Sequence, residues 1–184
     1  MDFVYSIDDS ILWFIRNHLV TEFLTPVLKF ITTLGNAGLI WIAFTILMLI
    51  YKPTRKVGII SAIALVEEFI LCNGILKNVI RRARPWTRIE GLTPLVTKPT
   101  DFSFPSGHSS SSFAVGFTMF RKADKKIGIP ALILAILIAA SRLYVAVHYP
   151  TDVLAGLLIG IIFSYIGEFT YNKVKEYMEH RNES

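Results

Sequence analysis

The stretch IGIPALILAILIAASRLYVAVHYPTDVLAGLLIGIIFSY, residues 127–165, holds two long apolar runs separated by a short polar segment. The runs, 127–147 and 153–171, are close to the length of a helix that crosses a bilayer, which needs about 20 residues. The segment between them, 148–152, carries a histidine and an aspartate, and Arg142 lies near the end of the first run. Ionisable groups at membrane-segment ends are costly and usually functional. The stretch therefore predicts both a membrane protein and a site.

The composition favours the same class. Of the 184 residues, 53% are hydrophobic, and the mean hydropathy of +0.51 exceeds that of ordinary globular domains. A bilayer offers an unpaired backbone no hydrogen-bond partner, so apolar segments at membrane depth should be helical. We predict an all-α, polytopic membrane helix bundle. The single cysteine, Cys72, is expected to be a buried hydrophobe.

About five segments could cross a membrane: 38–51, 57–79, 109–120, 127–147 and 153–171. Segment 11–34 differs, because charged residues interrupt it while its apolar residues keep helical spacing. We interpret it as one or two amphipathic helices in the membrane interface, with a sixth, imperfect span as the alternative. The chain is then one domain, 1–184, with three parts: interfacial helices in 1–36, a transmembrane bundle in 37–172 and a cytoplasmic tail in 173–184.

The charge pattern indicates membrane topology and no nucleic-acid partner. The net charge is +5, and ten of the 19 Lys and Arg residues fall into three short clusters between apolar runs, 52–56, 121–126 and 173–181. Cytoplasmic segments carry an excess of Lys and Arg, and five spans place all three clusters on one side. Asp8 and Asp9 precede the first apolar stretch, where a signal peptide would carry positive charge, so none is expected.

The first motif is KNVIRRARP, residues 77–85. Lys77 and Arg84 are seven positions apart, which on a continuous helix ended by Pro85 would place them on one face. Both are natural ligands of phosphate oxygens. The alternative is a basic helix end that reaches for lipid headgroups. That alternative is our interpretation of three further arginines, Arg81, Arg82 and Arg88.

The second motif is PSGH, residues 105–108, which leads directly into a helical run. Backbone N–H groups at such a helix start bind anions well. Gly107 allows a close approach of the backbone, and the Ser106 hydroxyl can donate to an oxygen. His108 would stand beside a bound phosphate, where it could protonate a leaving alkoxide. The alternative is a simple helix cap followed by an incidental histidine.

The third motif is SRLYVAVHYPTD, residues 141–152. Asp152 should lie in the first turn of the last span, with His148 in the turn before it. An aspartate that accepts from one imidazole nitrogen fixes the tautomer and leaves the other nitrogen free to attack. Arg142 adds a third cation. An interfacial histidine with a capping aspartate is the alternative.

Taken in order, KxxxxxxRP, PSGH and SRxxxxxHxxxD resemble the three-part signature of the type 2 phosphatidic acid phosphatase family. That family includes bacterial phosphatidylglycerophosphate and undecaprenyl diphosphate phosphatases, glucose-6-phosphatase and vanadium haloperoxidases. Every signature position is filled here. The resemblance covers residues 77–152 and the helical layout up to 171, and it is specific for the superfamily rather than for a substrate.

The resemblance implies a role for each signature residue. His148 would be the nucleophile that forms a phosphohistidine, Asp152 would orient it, and His108 would be the acid for the leaving group. The phosphoryl oxygens would be held by Lys77, Arg84, Ser106, Gly107 and Arg142. We expect no cofactor and no metal, because no Asp, Glu or His cluster has ligand spacing and the cations already supply charge stabilisation.

Two weaker features leave alternatives open. Glu67 and Glu68 lie within a predicted span, where they could form a proton relay or support Lys77, or could simply turn into the bundle and bond to neighbours. Gly156 and Gly160 form a GxxxG motif, which serves packing within a chain or between the copies of a homodimer.

The predicted function is hydrolysis of a membrane lipid phosphate, with undecaprenyl diphosphate or phosphatidylglycerophosphate favoured and phosphatidate as the alternative. A vanadium haloperoxidase would use the same residues, but those enzymes are large and soluble. A non-catalytic lipid-binding protein would not need a complete residue set. We expect an integral protein of a bacterial plasma membrane with an outward-facing site.

Overall fold

The computed structural model describes residues 2–183, which form nine α-helices and no strand. Their bounds are α1 Asp2–His18, α2 Leu24–Leu34, α3 Leu39–Ile50, α4 Arg55–Phe69, α5 Lys77–Ile80, α6 Pro85–Arg88, α7 Gly107–Lys122, α8 Lys125–Tyr144 and α9 Pro150–Glu183. A π-helical segment, Ile70–Leu76, joins α4 to α5. The all-α prediction is therefore confirmed.

Helix α7 lies at the centre of the bundle and packs against α3, α4, α8 and α9. Its serines, 109–112, are buried, and Ser112 accepts a hydrogen bond from the Trp41 indole at 2.8 Å. On α9, Gly156 and Gly160 face α7 so closely that a Cβ on Gly156 would lie 2.5 Å from the Ser106 carbonyl oxygen. The GxxxG motif therefore serves packing within the chain, because only glycine permits this approach.

Three helical segments of the described residues are long and apolar enough to cross a membrane: Lys52–Arg88, Lys125–Tyr144 and Pro150–Arg181. The pair Leu24–Leu34 and Asn36–Ile50 qualifies only together, and it is bent by 49°. The predicted span 109–120 is α7, which is short and rich in serine and is largely enclosed by its neighbours. The chain is an integral membrane protein with three or four candidate spans.

Segment 11–34 forms parts of two helices rather than one. Helix α1 ends at His18 and α2 begins at Leu24, with Pro26 in the first turn, where a missing N–H costs no helical bond. Helix α1 packs near α8 and α9, and α2 packs against α8. Its placement in the membrane interface stays a prediction.

The basic clusters and the three motifs occupy opposite ends of the bundle. Arg121 forms an ion pair with Glu168 at 2.5 Å, and the Lys56 ammonium stands 5.6 Å from the Tyr171 ring. These contacts join the start of α4, the end of α7 and the C-terminal half of α9. The motifs meet where α5 ends, α7 begins and α8 gives way to α9.

Candidate active site

One cavity of about 870 Å³ opens at the motif end of the bundle. Six of the eight predicted site residues line it: Lys77, Arg84, Gly107, His108, Arg142 and His148. The two others, Ser106 and Asp152, are fully buried next to it. Three distant parts of the sequence thus converge, as the motifs predicted.

Lys77 and Arg84 lie close together, but the helical spacing predicted from the sequence is not the cause. The helix does not continue to Pro85; it ends at Ile80, Arg81 takes a left-handed φ of 50°, and Pro85 begins a new helical turn. Helical spacing therefore does not bring the two cations together. They meet at the Asp101 carboxylate, to which Lys77 donates a short hydrogen bond and Arg84 donates one of 2.5 Å.

Asp101 was not among the predicted site residues. Its side chain is about half exposed, and burial alone would raise its pKa, but Lys77 and Arg84 outweigh that effect and lower the pKa to about 2. The carboxylate is therefore ionised at neutral pH and neutralises part of the cationic site. It lies in an irregular loop between the first two motifs, and no motif of its own marks it.

Removing the Asp101 charge is expected to strengthen anion binding. Asp101→Asn leaves Lys77 and Arg84 without their anion, and inhibition by vanadate should become about tenfold tighter, since charges near a protein surface interact by a few kcal/mol before screening. A vanadate titration of the purified variant measures this. Weaker inhibition would mean that Asp101 chiefly holds the two cations in place.

Arg142 enters the cavity from the last turn of α8 and is 4% exposed. One guanidinium N–H donates to the Thr32 hydroxyl at 2.6 Å, whereas Nε is buried with no hydrogen-bond partner among the described residues. A buried donor left unpaired is costly. The position of Arg142 suits the third cation of an anion site, after Lys77 and Arg84, and the anion would arrive with a substrate.

His148 lies in the turn between α8 and α9 and is 2% exposed. Its Nε2 is 3.2 Å from Nη1 of Arg84. A guanidinium can only donate, so Nε2 is the acceptor and the proton of the neutral ring lies on Nδ1. Burial lowers the pKa of His148 to about 3, with the Asp152 contact opposing the shift. The ring is therefore neutral at physiological pH, and its lone pair points to the cation-lined cavity.

Asp152 stands behind His148 in the first turn of α9, as predicted. Its Oδ2 lies 3.6 Å from Nδ1 of His148, which is longer than a hydrogen bond. The carboxylate accepts hydrogen bonds from Arg82 and Ser103 at 2.5 Å each and from the Tyr149 N–H at 3.0 Å. Asp152 is thus fixed in place, and its attraction for His148 grows when the ring becomes positively charged.

The prediction that the Arg82 side chain reaches for lipid headgroups is wrong. Its guanidinium bridges two fully buried carboxylates, Asp152 at 2.5 Å and Asp8 at 2.6 Å, and it stacks 4.0 Å from the Tyr149 ring. Arg88 likewise pairs with Asp9 of α1. Helix α1 is thereby held against the site, a contact that no sequence pattern predicts beyond the presence of the charges themselves.

His108 lies in the first turn of α7, and its Nε2 is 3.1 Å from Oδ1 of Asn36. Gly107 precedes it at the cavity wall, where a Cβ would lie 3.3 Å from Oδ1 of Asn73. The Ser106 hydroxyl caps α7, accepting from the Ser109 N–H at 3.4 Å and from the Ser109 hydroxyl at 2.9 Å. It keeps its own proton, and its donation to a phosphoryl oxygen stays a prediction.

The two glutamates of α4 bond to neighbouring helices. Glu68 is 1% exposed, borders the cavity and accepts a short hydrogen bond from Ser110 of α7. Glu67 accepts from Thr170 of α9 at 2.9 Å. These contacts agree with the alternative that Glu67 and Glu68 turn into the bundle and bond to neighbouring residues.

Away from the cations, the cavity has an apolar wall built by α3 and α4. With the first residue of the π-helical segment, five exposed apolar residues line this part of the cavity: Ile42, Ile46, Val66, Phe69 and Ile70. The cavity therefore joins a cationic end to an exposed apolar wall.

Comparison with known proteins agrees with this geometry. The PAP2 superfamily model matches residues 55–175. An undecaprenyl-diphosphatase from Sulfolobus acidocaldarius is 39% identical over 127 residues, which are 69% of this chain but only 61% of that protein. Phosphatidylglycerophosphatase B from Bacillus subtilis is 31% identical over 169 residues, covering 85% of this chain and 79% of that protein.

A solved structure shows the same arrangement of helices. The crystal structure of a transmembrane PAP2 type phosphatidylglycerolphosphate phosphatase from Bacillus subtilis superimposes with a TM-score of 0.76 at 29% identity, covering 95% of this chain and 89% of that one. The family match extends over all three motifs, and the motif residues surround one cavity. The chain belongs to the PAP2 superfamily.

Proposed function

We propose that the chain is a membrane lipid phosphatase that forms a phosphohistidine at His148. The observation that carries the proposal is the cavity, where three cations and two imidazoles meet at one end of an apolar groove that faces the bilayer. The names of the relatives, an undecaprenyl-diphosphatase and a phosphatidylglycerophosphatase, support the same class of reaction.

The proposed reaction begins with phosphate binding. Lys77, Arg84 and Arg142 would take the phosphoryl oxygens, and the start of α7 would add backbone N–H groups. Cations fixed in a partly dehydrated site stabilise charge that develops in the transition state. Arg84 would exchange its contact with Nε2 of His148 for a phosphoryl oxygen, which frees the nucleophile.

The chemical steps follow from the two histidines. Nε2 of His148 forms a bond to phosphorus while the bond from phosphorus to the lipid oxygen breaks, and His108 gives that oxygen a proton. Asp152 stabilises the positive charge on the phosphorylated ring from 3.6 Å. Water then attacks phosphorus while His108 takes its proton, and the bond from phosphorus to Nε2 of His148 breaks, which releases phosphate and restores the neutral ring.

A panel of lipids tests the function. Purified protein in detergent should release phosphate from undecaprenyl diphosphate or phosphatidylglycerophosphate, which we favour, with phosphatidate as the third substrate. Turnover of none of the three, by protein that still binds one of them, would instead indicate a non-catalytic lipid-binding protein.

Activity is expected to persist in EDTA and to be inhibited by vanadate. The arginines, the lysine and the helix-start N–H groups supply the charge that a metal would otherwise provide, and five-coordinate vanadate imitates the transferring phosphoryl group. Phosphate release with and without each reagent measures both effects. Loss of activity in EDTA that Mg²⁺ restores would contradict this mechanism.

We further propose that the motif end of the bundle faces outward across the plasma membrane. The support is the positive-inside tendency, since the three basic clusters lie at the opposite end. The only native cysteine, Cys72, is buried, so introduced cysteines can report the topology.

Cysteine at Thr93, an exposed position in the motif-side loop, should react with an impermeant thiol reagent on intact cells. Cysteine at Asp124, exposed between α7 and α8, should react only after the membrane is broken. Losing the cap that Asp124 gives α8 costs about 1 kcal/mol, which a bundle of this size tolerates. The reverse labelling pattern would place the site on the cytoplasmic side.

A further inference from the structure

We propose that the corner between α2 and α3, residues 32–38, positions two active-site side chains: Asn36 orients His108 for proton transfer, and Thr32 orients Arg142 for phosphate binding. The proposal rests on the function proposed above. The family match begins at residue 55, so neither Thr32 nor Asn36 belongs to the matched region or to the three motifs.

The Asn36 contact defines the direction of the His108 ring. A carboxamide oxygen only accepts, so Nε2 of His108 donates to Oδ1 of Asn36 across 3.1 Å. This bond persists when the ring carries its second proton, which is the acid form. Asn36 therefore stabilises the proton donor without touching the phosphate.

The backbone of the corner is shaped around the same ring. A Cβ on Gly35 would lie 2.6 Å from Cδ2 of His108 and 2.8 Å from Cγ2 of Ile138, so the imidazole edge packs directly on the main chain. Ala37 and Gly38 follow with φ values of 50° and 68°. A left-handed conformation is unfavourable for alanine because its Cβ lies too close to the backbone. Left-handed geometry at a non-glycine residue is typical of functional sites.

The Thr32 contact serves the phosphate end. Its hydroxyl accepts from Arg142 at 2.6 Å, and both side chains are nearly inaccessible to solvent, at 2% and 4%. With one N–H held by Thr32, the guanidinium is fixed in place at the cavity that Arg142 lines. Thr32 and Asn36 lie one helical turn apart, so one short segment acts on both halves of the reaction.

Two substrates separate the two roles. An alkyl phosphate such as a short-chain phosphatidate needs an acid for its leaving alkoxide, whereas p-nitrophenyl phosphate has a stable leaving phenolate and needs little help. Vanadate inhibition reports the phosphate site alone. The three measurements are made on full-length protein in detergent.

Asn36→Leu is expected to lower kcat for the alkyl phosphate about tenfold or more, since a positioned general acid contributes about 10²–10⁴-fold. Its rate with p-nitrophenyl phosphate and its vanadate inhibition should change little. Asn36→Asp keeps an acceptor oxygen and should recover the alkyl phosphate rate, with the pH profile moved upward because a carboxylate stabilises the protonated ring. Asn172→Leu, the same change at an exposed position on α9, is the control.

Thr32→Val should show the converse: weaker vanadate inhibition and a higher KM with both substrates, and an unchanged ratio of the two kcat values. Equal losses with both substrates in Asn36→Leu, or unchanged kinetics, would overturn the role of Asn36. Unchanged vanadate inhibition in Thr32→Val would overturn that of Thr32.

His108→Ala distinguishes failure of this inference from failure of the proposed function. If it loses the alkyl phosphate selectively while Asn36→Leu does not, the corner has no positioning role and the acid assignment stands. If His108→Ala keeps full activity with the alkyl phosphate, the acid assignment itself is wrong, and the inference about Asn36 is overturned with it.

Discussion

Replacing His148 with alanine is expected to abolish phosphate release. The ring is neutral, and its Nε2 already lies 3.2 Å from Arg84, one of the cations proposed to hold the phosphate, so it is placed to attack a bound phosphoryl group. Removing an attacking group of a covalent mechanism leaves only the binding contribution to catalysis, a loss that reaches about 10⁶-fold in a serine protease. Steady-state phosphate release from the best lipid of the panel measures the effect.

The intermediate gives a second measurement. A reaction with labelled substrate, quenched rapidly without acid, should leave labelled phosphate on His148 of the native protein. The alanine variant should carry none. His180→Ala, at an exposed position near the end of α9, is the matched control and should keep full activity. An alanine variant at 148 that turns over normally would remove the mechanism.

Asp152→Asn is expected to fold and to lose most of its rate. The amide keeps the shape of the carboxylate but cannot offset the positive charge that appears on His148 during attack. Its NH₂ group also turns a donor toward Arg82 or Ser103, which are themselves donors. Losses for a comparable orienting aspartate reach about 10⁴-fold in serine proteases. The longer 3.6 Å contact found here would make the loss smaller.

The rate and the melting temperature of Asp152→Asn should be measured together. Arg82 retains Asp8 as a partner in the variant, so the end of the bundle should stay closed. A wild-type rate in a well-folded variant would reduce Asp152 to a helix cap, whereas a large drop in melting temperature would show that its hydrogen bonds chiefly serve stability.

The sequence predicted the helices well because the signal is local. The apolar run from 127 became α8, and the run from 153 became most of α9, since long apolar segments in a bilayer have few alternatives to a helix. The predicted boundary at Pro85 failed because the chain breaks earlier, at Arg81, a residue type that does not signal a left-handed φ. Convergence of the motifs followed from alternating spans, whatever the details of each end.

What the sequence could not predict are the partners that tertiary folding supplies. Asp101 reaches Lys77 and Arg84 from a loop without a periodic pattern. Asp8 belongs to none of the three motifs, yet it is buried and bound to Arg82. Contacts of this kind join residues more than 15 positions apart through packing, so neither spacing nor residue type identifies them.

The wall shared by α3 and α4 has a consequence for how rates should be expressed. Its apolar residues are exposed, so under the proposed function a lipid would bring its headgroup to the cations without leaving the membrane. The relevant substrate concentration is then two-dimensional: the mole fraction of lipid in the micelle or bilayer. Adding inert detergent at a constant amount of substrate should slow the enzyme by surface dilution, whereas enlarging the volume of buffer should not.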